Sequence, residues 1–96
     1  MSPLKRKKLS KIRLELDKLD NELIKIIKKR TNLVKRVLAL KEKKNQIIDQ
    51  KRIKKILINI KNKSLKNNID PKITNRIWKN MIWSYIDFEK RNFKKK

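Results

Sequence analysis

Arg30 interrupts a row of hydrocarbon. Between Leu9 and Leu40 apolar residues recur at steps of three and four, at Leu9, Ile12, Leu16, Leu19, Leu23, Ile26, Leu33, Val37 and Leu40, and the long step after Ile26 holds this cation. That spacing describes an amphipathic helix whose seam faces other helices. A guanidinium in such a seam is desolvated unless an anion sits on it, so a buried arginine with no partner in the pattern points to a bound ligand. At 100° per helical residue, Lys41 returns to within about 20° of the Arg30 stripe and lies roughly 16 Å further along. The two long side chains can therefore converge on one ligand. Arg13 is too far toward the other end of the helix to reach that place within its own subunit, although an interlocked partner would bring it there. Arg52 stands beside Ile53 on a second helix, and Glu89 follows Tyr85 by one turn on a third, so that 85 and 89 share a face. Three or four cations, one carboxylate and one phenol, walled by Ile, Leu and Val, would hold a small dianion. Blander roles compete for several of these residues. Arg13 and Arg52 also suit surface ion pairs of small energetic weight, Lys41 is one lysine among many, and Glu89 also suits a solvent-facing pairing with Lys90 or Arg91.

The chain contains no Cys and no His. Disulfides, thiolate metal sites and cysteine nucleophiles are excluded, and the usual general base is missing. Catalysis, if present, runs on Lys, Arg, Asp, Glu, Ser or Tyr, with no metal or cofactor expected.

The elements that must position these residues are helices. The chain of 96 residues has no Gly and two Pro, and no segment alternates long enough to read as a strand. A single domain over 1–96 is expected, all-α with one long and two shorter helices. The first helix has two possible starts, Ser2 capping with Pro3 at the first position or Ser10 capping after a flexible basic arm over 1–8, and it ends near Lys41. Roughly 35 helical residues span about 50 Å, longer than a compact domain of this size is wide. Such a helix buries its seam only on more than its own two short helices, and an interlocked homodimer is the natural solution. Glu42 to Gln46 reads as a polar break. The second helix starts on Asp49 as N-cap, turns Ile53, Ile56, Leu57, Ile60 and Leu65 inward, and stops at Asn67-Asn68, since Asn best replaces Gly in a left-handed C-cap. Asp70-Pro71 starts the third, which runs to about Asn92 with Ile73, Ile77, Met81, Ile82, Tyr85 and Phe88 inward. Residues 94–96 read as a flexible tail.

The formal net charge of +22 suits nucleic acid, because clustered cations neutralise phosphates. The same abundance of Lys, Ile and Asn also follows from an AT-rich coding sequence. There is no helix-turn-helix glycine, and Trp78 and Trp83 sit on one helix where core packing is the commoner role. Nucleic acid is thus the weaker reading. A coiled-coil adaptor with Arg30 as a register device leaves Arg52, Tyr85 and Glu89 without a joint purpose. The basic N-terminus is followed by no apolar core of signal-peptide type and no run approaches a membrane span, so a cytoplasmic protein with no membrane partner is expected.

Ile12-Arg13, Leu16-Asp17-Lys18-Leu19-Asp20, Leu23, Ile26-Ile27-Lys28-Lys29-Arg30, Leu33-Val34, Val37 and Lys41, followed by Asp49-Gln50-Lys51-Arg52, Ile69-Asp70-Pro71 and Ile77-Trp78-Lys79-Asn80-Met81-Ile82, resemble the all-helical chorismate mutase family over about residues 9 to 92. The resemblance implies an intertwined dimer of three-helix subunits. It further implies that Arg13 of the partner subunit and Arg30 of the same subunit each take one substrate carboxylate, that Lys41 donates toward the ether oxygen and a carboxylate, that Arg52 adds positive charge, and that Glu89 occupies the place of a second ether-oxygen donor. Chorismate becomes prephenate by an intramolecular pericyclic step that demands no proton transfer, which suits a chain without His or Cys.

Two positions depart from the family's common pattern. Many of these mutases follow the second-helix Arg with a Glu that helps hold the substrate's ring hydroxyl, where this chain has Ile53, and commonly place Ser where it has Tyr85. Both changes, and the length of the connection from Lys41 to Arg52, resemble the sister isochorismate-pyruvate lyases. Asp49 points back to the mutases, which remain the favoured comparison. Glu89 differs from a Gln at the same place in that it donates only when protonated.

Overall fold

The computed structural model of the chain describes residues 1–94, and the end of the expected tail, Lys95 and Lys96, lies outside the described residues. The protein is all-α: helices α1 (Pro3–Leu40), α2 (Gln50–Lys66) and α3 (Pro71–Asn92) follow in order, with one short 3-10 turn at Lys44–Gln46 and no strand among the described residues.

Of the two starts open to α1, the earlier is used. The Ser2 hydroxyl accepts the Lys5 backbone N–H at 3.2 Å and Pro3 takes the first helical position, where a missing N–H costs nothing. Lys5 to Lys8 thus lie in the first turns of the helix. Ser10, the other candidate cap, turns its hydroxyl back to donate to the Arg6 carbonyl at 3.0 Å. With 38 residues the helix is about 57 Å long.

Two compact units divide the chain, Met1–Leu33 and Val34–Lys96. The first is a stretch of helix whose seam is open, with Leu16, Leu19 and Leu23 at 53%, 59% and 52% exposure. The second holds the core. Asp49 caps α2 by accepting the Arg52 N–H at 3.0 Å, and Asp70 caps α3 by accepting the Lys72 N–H at 2.9 Å. At the end of α2, Asn68 enters the left-handed region at φ 56°. The N–H groups of Asn68 and Ile69 then donate back to Leu65 and Ser64 at 3.3 and 2.9 Å, closing a Schellman turn.

α2 and α3 pack against each other. Ile53, Ile56, Leu57 and Ile60 are half-buried as the spacing requires, but Leu65 is exposed and Ser64 takes its place inside. Ser64 shares a 2.6 Å hydrogen bond with Thr74, a pairing that lets two hydroxyls enter the contact without loss. On α3, Met81, Ile82, Tyr85 and Phe88 turn inward, whereas Ile73, Ile77 and Trp83 are exposed. The inward stripe of α3 runs through Thr74, Trp78, Ile86 and Glu89 beside the expected residues.

Replacing Asn68 by Val forces a β-branched side chain into the left-handed region and should lower stability by about 1–2 kcal/mol, while Asn68→Gly should match or exceed the native chain. Urea denaturation at one fixed protein concentration measures both.

Candidate active site

α1 ends one residue before Lys41, whose backbone N–H donates to the Leu38 carbonyl at 3.1 Å in a tightened last turn. Its side chain is carried inward and meets Glu89 from α3. The Lys41 ammonium donates to both Glu89 carboxylate oxygens, at 3.2 and 3.1 Å, and lies 3.5 Å from the Ile47 carbonyl. Glu89 is 6% exposed. The alternative of a solvent-facing Glu89 paired with Lys90 or Arg91 is thus set aside, and Arg91 instead bonds Asp87 on the surface at 2.8 Å.

The other candidates in the second unit lie at the start of α2 and on α3. Arg52 lies in the first turn of α2, exposed, and the Asp49 cap on its own N–H fixes where its side chain sets out. Asp49 is exposed and committed to capping. Ile53 is half-buried, and Tyr85 is half-buried one turn before Glu89. In the first unit Arg13 and Arg30 are both exposed. The apolar neighbours of Arg30, Ile26 and Leu33, are half exposed as well.

Gln46 and Ile47 were not singled out by residue type. Ile47 is the most buried hydrophobic residue among the described residues, at 3%. Gln46 turns its side-chain oxygen onto the N–H groups of Glu42 and Lys43. The one available signal was a Gln three positions after Lys43, the second half of a capping-box pattern.

A small helical chain that keeps a lysine and a carboxylate face to face at the edge of its core, and has neither thiol nor imidazole to react with, is built for electrostatic work on a bound anion. It belongs to the chorismate mutase type II family, which matches residues 12–90 and so includes every candidate from Arg13 to Glu89. No curated protein and no solved structure matches the chain. The family's enzymes are intramolecular isomerases that turn chorismate into prephenate, in aromatic amino acid biosynthesis. Neither the lyase nor a nucleic-acid role gains support, and no described helix is long and apolar enough to cross a membrane.

Lys41→Met leaves a buried carboxylate unpaired and should cost on the order of 3 kcal/mol, whereas the double variant Lys41→Met/Glu89→Leu should recover most of that loss. A double-mutant cycle in urea gives both values, and additive single effects would mean the pair is not coupled.

Proposed function

We propose that the chain acts as an interlocked homodimer that rearranges chorismate to prephenate in a pocket completed across the subunits. The partner subunit's Arg13 and the subunit's own Arg30 each hold one carboxylate of the substrate. Lys41 donates to the ether oxygen and a carboxylate, Arg52 adds positive charge from α2, and Glu89 occupies the place of a second ether-oxygen donor. Asp49, Ile53 and Tyr85 complete the wall. The observation that carries the proposal is the Lys41–Glu89 contact at 3.1 Å, which joins two residues 48 positions apart to which the family resemblance gives the same substrate atom.

The chemistry asks two things of these groups. Paired cations on two carboxylates hold the enolpyruvyl arm over the ring in a near-attack conformer. Donors already in place stabilise the negative charge that grows on the ether oxygen as its bond breaks. The dimer is supported by the open seam of α1, too extensive for a monomeric surface, and by its length. We extend the proposal to a cytoplasmic location, checked by cell fractionation.

Incubation of the purified protein with chorismate, and separately with isochorismate, tests the assignment. Prephenate from chorismate is expected. Pyruvate and salicylate from isochorismate, without prephenate from chorismate, would overturn it. Lys41→Ala should lower kcat/KM by about 10²- to 10³-fold, the usual effect of removing one preorganised donor. Mixing inactive Arg13→Ala and Arg30→Ala chains through an unfolding and refolding step should restore about a quarter of native activity, because half of the dimers are mixed and each mixed dimer has one intact site. No recovery would mean that Arg13 serves its own subunit.

A further inference from the structure

Two backbone N–H groups point at one atom of Gln46. Those of Glu42 and Lys43 reach its Oε1 at 2.8 and 2.9 Å, and because both are donors the atom between them is the amide oxygen. The residue immediately before this pair is Lys41. Behind Gln46 the turn is closed by its own N–H, which donates to the Lys43 carbonyl at 3.0 Å, and by the Ile47 N–H, which donates to the Lys44 carbonyl at 3.2 Å. Ile47 then pins the turn into the core with its buried side chain, and its carbonyl faces the Lys41 ammonium at 3.5 Å.

Residues 41 to 43 belong to no helix, since α1 has ended and the 3-10 turn starts at Lys44. What holds this backbone is the Leu38 carbonyl at Lys41 and the Gln46 side chain at the two residues after it. Gln46 is exposed, so water can replace its oxygen on both N–H groups when it is removed. The fold therefore survives the loss, but one fixed acceptor becomes several mobile ones. An ammonium that must sit within hydrogen-bond reach of a breaking bond is sensitive to displacements of about 1 Å.

We propose that Gln46 is a positioning residue for the rearrangement: its side-chain carbonyl fixes the backbone that sets the Lys41 ammonium against Glu89. The inference rests on the donor role of Lys41 given above, and two readouts keep the two apart. The first is the kinetics of the purified full-length protein on chorismate. The second, which needs no turnover, is the NMR signal of the Glu89 side-chain carboxyl in carbon-13-labelled, ligand-free protein, identified by its loss in Glu89→Gln.

Gln46→Leu keeps the shape without an acceptor, and Gln46→Asn keeps the amide one methylene short. Both should lower kcat about tenfold with KM within about twofold of native, and both should move the Glu89 signal while circular dichroism stays native. Gln46→Glu, whose carboxylate accepts from the same two N–H groups, should keep both readouts near native. Native kcat with an unmoved signal in Gln46→Leu and Gln46→Asn overturns the proposal, as does a Gln46→Glu variant as impaired as Gln46→Leu. A moved signal with native kcat overturns the catalytic half of the proposal and the donor role of Lys41 with it. Should Gln46→Leu not fold, Gln46→Asn decides alone.

Discussion

Lys41 and Glu89 are held together at the point where α1 stops, and the proposed chemistry is organised around that contact. An ion pair at the edge of a core is rarely there for stability, because hydrocarbon of equal volume serves as well or better once two charges have been taken out of water. Here the surrounding core is small, with Ile47 and Ile86 as its buried hydrophobic residues. Keeping a charged pair in so small a core makes sense where charge is wanted before the substrate arrives. A pericyclic rearrangement needs no nucleophile and no base. It needs cations and donors that do not reorganise as charge moves to the ether oxygen.

The second constraint is the seam of α1. Its apolar residues are about half exposed within one chain, and covering a half-exposed Leu or Ile contributes about 1 kcal/mol, so the seam as a whole is worth on the order of 10 kcal/mol. That equals the entire stability of many small domains. A surface of this weight favours association, as the proposed dimer requires.

Much of this was legible along the chain. Ser2-Pro3, Asp49, Asn67-Asn68 and Asp70-Pro71 are local signals whose hydrogen bonds involve groups two to five residues away, and the helix limits follow them closely. The inward faces were harder. Ser64 and Thr74 are polar by type, yet each satisfies the other across the α2–α3 contact, so the pattern stepped to Leu65 and Ile73 instead. Trp83 looked like core, but its direction on α3 lies off the inward stripe. Gln46 was invisible for a related reason, since its role depends on where two backbone N–H groups point and not on its own chemistry.

What the amino-acid sequence determined alone was the all-α class, the helix limits set by their caps, the absence of thiol and imidazole chemistry, and the short set of charged residues from Arg13 to Glu89. Helix periodicity and capping are properties of neighbouring residues, and the chain states them directly. Only the tertiary structure decided that Lys41 and Glu89 meet, that Glu89 is buried and not solvent-facing, and that Gln46 and Ile47 brace the turn between α1 and α2. Those outcomes depend on how far each helix turns before the next begins, and one residue rotates a side chain by 100°.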